Sequence, residues 1–154
     1  MTLRISALAG CVGAGVLALA GVVGAANPGN RAFVAKPSGA NEVPAATTKA
    51  SGTALIRVNS KKRTVCWVIH VKNLSATATA AHIHPGVAGA TGAPVLTLST
   101  PNGGKKNAKS AGCTTLPAGS TLISQILANP RAFYVNVHTS NFPNGEVRGQ
   151  LKRA

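Results

Sequence analysis

Aspartate is absent from this 154-residue chain, and glutamate occurs only at Glu42 and Glu146. Without aspartate no Ser/His/Asp constellation can form, and oxygen-rich Mg²⁺ or Ca²⁺ sites lack their carboxylates. A paired-carboxylate hydrolase would need Glu42 and Glu146 to meet, and nothing in their spacing brings them together. Each is better suited to pair with an arginine or to accept hydrogen bonds from loop backbone. Aromatics are also scarce, with one Trp, one Tyr and three Phe. Nucleic-acid binding interleaves cations with stacking rings or offers a groove-reading helix, so nucleic acid is excluded as a partner. The Gly-rich stretch from Gly86 to Gly92 precedes a strand pattern, not a helix, and therefore reads as turns, not as a phosphate cradle.

What the chain has in excess is positive charge, with 16 Lys+Arg and a formal net charge of +14. Residues 1–26 read as a secretory signal: Arg4, an apolar or small run from Ile5 to Val23, then Gly24-Ala25-Ala26 before Asn27-Pro28. An uncleaved anchor is a rival reading, since the run is long enough to span a bilayer. Lipidation at Cys11 is another, because Leu8-Ala9-Gly10-Cys11 resembles a lipobox, although too few residues precede it. No second long apolar run follows, so residues 27–154 are expected to form one secreted or envelope-associated domain without a transmembrane segment. Such a domain keeps 15 Lys+Arg against two acids. Its basic clusters, Lys61-Lys62-Arg63, Lys105-Lys106-Lys109 and Lys152-Arg153, suit anionic envelope components; they equally serve solubility. Of the three cysteines, Cys66 and Cys113 remain after the leader, and export implies that they pair.

β-Branched residues, Gly/Pro turns and period-two alternation predict an all-β fold, an antiparallel β-sandwich or Greek-key barrel of about eight strands with one short helix. Strands are expected at Arg31–Lys36, Thr53–Asn59, Arg63–Lys72, Ala80–His84, Pro94–Ser99, Ala132–Thr139 and Glu146–Lys152. Arg63–Lys72 is apolar on both faces, a pattern of a central strand. Thr100–Ala111 reads as a solvated lysine-bearing loop. The helix is placed at Ser120–Asn129, capped by Ser120 and stopped by Pro130.

Strand parity gathers the histidines. If Ile83, Val135 and Val137 face the core, His82, His84 and His138 all face away from it. The closing hairpin then turns Glu146, Arg148 and Gln150 outward and brings Glu146 or Arg148 beside His138. Three imidazoles suit copper or zinc rather than hard ions. The competing reading is surface histidines that pair with backbone or with Glu146. His70 has the parity of a strand residue or of a fourth ligand.

Several segments together resemble the CHRD domain: SGANEVPAA at Ser38–Ala46, Gly52-Thr-Ala, AAHIHPG from Ala80, ILANPRAFYVNVHT ending at Thr139, and NGEVRGQL ending at Leu151. The resemblance implies the β-sandwich fold; the function expected of it is a non-catalytic binding or structural module, with the candidate site that strand parity gathers at His82, His84 and His138 and with Arg148 and Glu146 in support. The His82-Ile83-His84 strand after Asn73-Leu74 also looks like the copper half of Cu/Zn superoxide dismutase, which would imply redox chemistry. The zinc half has no counterpart, because residues 85–99 contain no histidine and the chain has no aspartate. A third alternative is a basic adhesive protein of the envelope.

Overall fold

The computed structural model describes residues 29–154. The expected leader and Cys11 lie outside the described residues. In chain order the elements are β1 (Asn30–Ala35), β2 (Ser51–Asn59), β3 (Thr64–Lys72), β4 (Ala78–Pro85), β5 (Leu96–Leu98), β6 (Asn107–Thr115), α1 (Leu122–Ala128), β7 (Phe133–Thr139), β8 (Phe142–Gln150) and β9 (Lys152–Arg153). They form two antiparallel sheets, ordered β6-β3-β2-β1-β9 and β5-β4-β7-β8. The all-β sandwich expected from the alternation is therefore present, with one short helix.

Alternation explains the core. Ile56 and Val58 of β2 and Val65, Trp67, Ile69 and Val71 of β3 point inward, as do Ala81 and Ile83 of β4, Val135 and Val137 of β7, and Val147 of β8. Each buried Val or Ile contributes about 1.5–3 kcal/mol relative to exposure. Helix α1 adds Leu122, Ile123 and Ile126 to the same cluster. Trp67 satisfies its indole N–H on Ser99 Oγ at 3.0 Å.

Of four expectations, three are corrected and one is borne out. The expected loop Thr100–Ala111 holds only as far as Lys106: Asn107–Thr115 is an edge strand paired with β3 from Lys72↔Asn107 to Thr64↔Thr115. Its inward residues include Ala108 and Ser110, too small to signal a strand. Second, the expected central strand is present, since β3 has strand neighbours on both edges, although its outer face is not covered: Val68 is 38% exposed. Third, the final hairpin turns earlier than expected, because β8 opens at Phe142 and absorbs the difference in a bulge between Val137 and Thr139. Fourth, the expected strand Glu146–Lys152 divides at Leu151: β8 stays in one sheet, while Lys152 pairs with Val34 in the other. Leu151, fully buried, marks the crossing. Cys66 and Cys113 lie opposite each other on β3 and β6 and are joined as a disulfide.

Candidate metal centre

The outer face of the four-stranded sheet carries the site. Because Ala81 and Ile83 are buried in the core, His82 and His84 project from the other side of β4. The register continues this face across the sheet: His82 lies opposite Asn136, which lies opposite Arg148, and His84 lies opposite Tyr134, which lies opposite Gln150. His138 is one pleat further along β7, opposite Ala80.

This face is largely covered: every residue of β7 is buried, and of the three histidines only His82 is half-exposed. The Ser38–Ala46 segment and the loop after β4 cover it, and Arg148 ties both down. Its Nε donates to Asn41 O at 2.6 Å and its Nη1 to Ala90 O at 2.8 Å, while Asn41 Nδ2 donates back to Arg148 O at 3.0 Å. The guanidinium also sits 4.4 Å from the centre of the Tyr134 ring, against which His84 stacks from the β4 side at 5.0 Å. Two glycines permit this closeness. A Cβ on Gly149 would come within 2.7 Å of the Lys36–Pro37 backbone, and one on Gly145, at φ +125°, would strike Asn136 and Glu42.

Hydrogen bonding assigns the ring nitrogens. His84 Nδ1 lies 2.8 Å from Gly92 O, and His138 Nδ1 lies 2.9 Å from Pro143 O. Carbonyls only accept, so both Nδ1 atoms carry protons and, in the neutral rings, both Nε2 atoms offer lone pairs. His84 Nε2 is buried and has no partner. His138 Nε2 lies 3.1 Å from His82 Nδ1, which must then be the donor of that contact. One ligand atom from each ring lies within 4.8 Å of the others. Nitrogens sharing an ion at about 2.0–2.1 Å sit roughly 3–3.5 Å apart. The His82–His138 pair already matches, and the residues fit a soft or borderline ion.

Electrostatics keeps two of the rings neutral. Burial, then the neighbouring His138 and His84, lower the His82 pKa from 6.5. Burial also lowers that of His84, with His138 and Arg148 adding to the effect and the Gly92 carbonyl opposing it. Beneath the cover, Glu42 is 8% exposed, and burial raises its pKa to about 7 against the pull of Arg148. Glu42 Oε1, Asn136 Oδ1 and Arg148 Nη2 join His84 Nε2 as buried atoms without a partner. A buried polar atom of this kind costs free energy until a ligand, ion or water meets it.

The fold thus brings His82, His84 and His138 together, with Arg148 one rung from His84. Glu146 is directed elsewhere: Thr48 Oγ1, Ser75 N, Ser75 Oγ and Thr139 Oγ1 all donate to its carboxylate, at 2.7–3.0 Å. His70 is exposed on the other sheet between Thr53 and Lys109 and takes no part in the cluster. Parity puts Tyr134 and Asn136 on the face of His138 but gives them no role, and it says nothing of Glu42. Further sequence signals for them are the short NEVP and FYVNVHT runs.

These observations define a two-sheet antiparallel sandwich with a covered three-histidine cluster on the outer face of one sheet. The chain belongs to the CHRD domain family, whose profile matches residues 33–151. No curated protein and no solved structure matches the chain. Among the described residues, no helix is long and apolar enough to cross a membrane.

Proposed function

We propose that this chain is an extracytoplasmic CHRD module that holds one copper or zinc ion through His82, His84 and His138, in a binding or structural role. The observation that carries the reading is the pair of backbone carbonyls, Gly92 O and Pro143 O, that fix two imidazoles with Nε2 free. Ligating histidines are oriented by such partners in metal sites generally. An all-nitrogen set favours copper in the divalent series, and three nitrogens with a fourth position left to water also suit zinc. The positive domain opposes a dication, so affinity rests on ligands already neutral and positioned. Of the three rings only His82 is half-exposed, while His84 and His138 are buried, which favours a holding role over turnover. Export is supported by the leader pattern and by the disulfide, which belongs to oxidising compartments. Electron paramagnetic resonance of the Cu²⁺-loaded protein tests the ligand set: nitrogen hyperfine structure that changes on His84→Ala supports it, and a spectrum indifferent to that substitution refutes it.

A second reading rests on a separate observation. Both acids, Glu42 and Glu146, are buried, so the described side-chain surface carries cations and no exposed carboxylate. This supports attachment to anionic envelope material. Binding to anionic vesicles that disappears at high salt would support it, and salt-independent binding or none would count against it.

A further inference from the structure

Among the described residues, the exposed large apolar side chains are Val34, Val43, Val68, Val87 and Val95. Three of them, Val34, Val43 and Val87, line one groove of about 920 Å³ between the C-terminal end of β1 and the loops around residues 40–43 and 87–89. The same groove is lined by Lys36, Arg131 and Lys152, all exposed. Opposing charge is scarce there. Glu146 is fully buried and bonded elsewhere, and Glu42, at the groove wall, is 8% exposed with Oε1 lacking a partner.

An apolar lining with a few polar groups is how small-molecule sites are built, and the exposed charged groups that line this one are all cations. A second copy of this chain would bring further cations and no exposed side-chain carboxylate to meet them. A polyanionic polymer would use Lys36, Arg131 and Lys152 but leave the valines uncovered. Only a ligand with one anionic end and one hydrocarbon body satisfies both halves of the lining. We propose that this groove binds a single-chain anionic amphiphile, a fatty carboxylate, with its head among Lys36, Arg131 and Lys152 and its chain along Val34, Val43 and Val87. No histidine lines the groove, so the inference stands apart from the metal centre. Its shape nevertheless depends on Arg148, which holds the backbone at Asn41 and Ala90.

Calorimetric titration of the purified protein with dodecanoate, below its micellar concentration, tests this. One dodecanoate per protein is expected, with binding at least tenfold weaker for dodecanol and undetectable for acetate. Lys36→Gln/Arg131→Gln/Lys152→Gln should weaken dodecanoate at least tenfold. The control Lys61→Gln/Lys62→Gln/Lys105→Gln removes as much charge elsewhere and should leave binding unchanged. All six positions are exposed, so the fold is retained. No dodecanoate binding, equal binding of dodecanol, or equal loss in both triple variants would each overturn the proposal.

Discussion

His82 Nδ1 lies 3.1 Å from His138 Nε2, although 56 residues separate them in the chain. Since the Nδ1 proton of His138 is committed to Pro143 O, the proton between the two rings belongs to His82. A metal ion would take the place of that proton, and His82 would change tautomer, its single N–H moving from Nδ1 to the outer Nε2. The contact is thus a two-ligand site closed by a hydrogen bond.

Metal affinity should respond to pH in a defined window. Burial lowers the pKa of His82 and His84 below 6.5, so protons do not compete with metal at these two rings until the solution is more acidic than that. Affinity measured by competition with a chelator of known affinity, corrected for the chelator's own protonation, is expected to stay level from pH 8 to about 6.5. It should then fall steeply. A fall beginning near pH 8 would contradict the neutral-ligand account.

Glu42 should make apo stability depend on pH with the opposite sign. Its folded pKa is raised from 4.5 to about 7. Below 4.5 the carboxyl is neutral in both states, and the stability it allows is fully present; as pH rises through about 7, the folded state must ionise a buried group and that stability is lost. Glu42→Gln is therefore expected to raise urea-unfolding stability at pH 8 by up to about 3 kcal/mol and to leave it unchanged near pH 4. Equal effects at both pH values would show that the burial of charge is not the cause.

Glu146→Gln separates structure from site. The carboxylate accepts from Thr48, twice from Ser75, and from Thr139 while fully buried. An amide cannot accept all four, so a loss of about 2–3 kcal/mol is expected in denaturant titration. Metal stoichiometry of the folded fraction should not change. Loss of metal without loss of stability would place Glu146 in the centre after all.

Arg148→Met should loosen the cover. It removes the bonds to Asn41 O and Ala90 O and leaves both carbonyls to find water. Hydrogen–deuterium exchange is expected to accelerate in residues 39–48 and 86–92 while β2 and β3 stay protected. Unchanged exchange in both segments would mean that the loops hold themselves.

Removing the disulfide tests the sandwich independently. Cys66 and Cys113 close a separation of 47 residues. Replacing both by serine is expected to cost about 4 kcal/mol in the chain-entropy account and to leave metal binding intact, since the bridge lies on the other sheet. A variant that unfolds with no such loss would show that the denatured chain is already constrained.

Much of this was legible in the sequence because strand parity is a strong constraint. Ile83 and Val137 declare their faces, and the facing of His82, His84 and His138 follows without further information. Parity does not say what lies over a face. The burial of Tyr134, Asn136 and Arg148 comes from Ser38–Ala46, a loop some hundred residues away whose position depends on backbone hydrogen bonds with Arg148. Nor could periodicity find β6, whose inward Ala108 and Ser110 carry little apolar signal. The break at Leu151 was hidden for the opposite reason, since alternation runs on unbroken while the strand changes sheets.

The most direct test of the central claim is metal content of the purified protein after exposure to Cu²⁺ and Zn²⁺ and removal of loosely bound ion, read by elemental analysis against His82→Ala/His84→Ala/His138→Ala. The account predicts close to one equivalent of copper or zinc in the first and none in the second, with both proteins folded by circular dichroism. No metal in either, or equal metal in both, would contradict it and leave the histidine cluster a structural feature of the sheet.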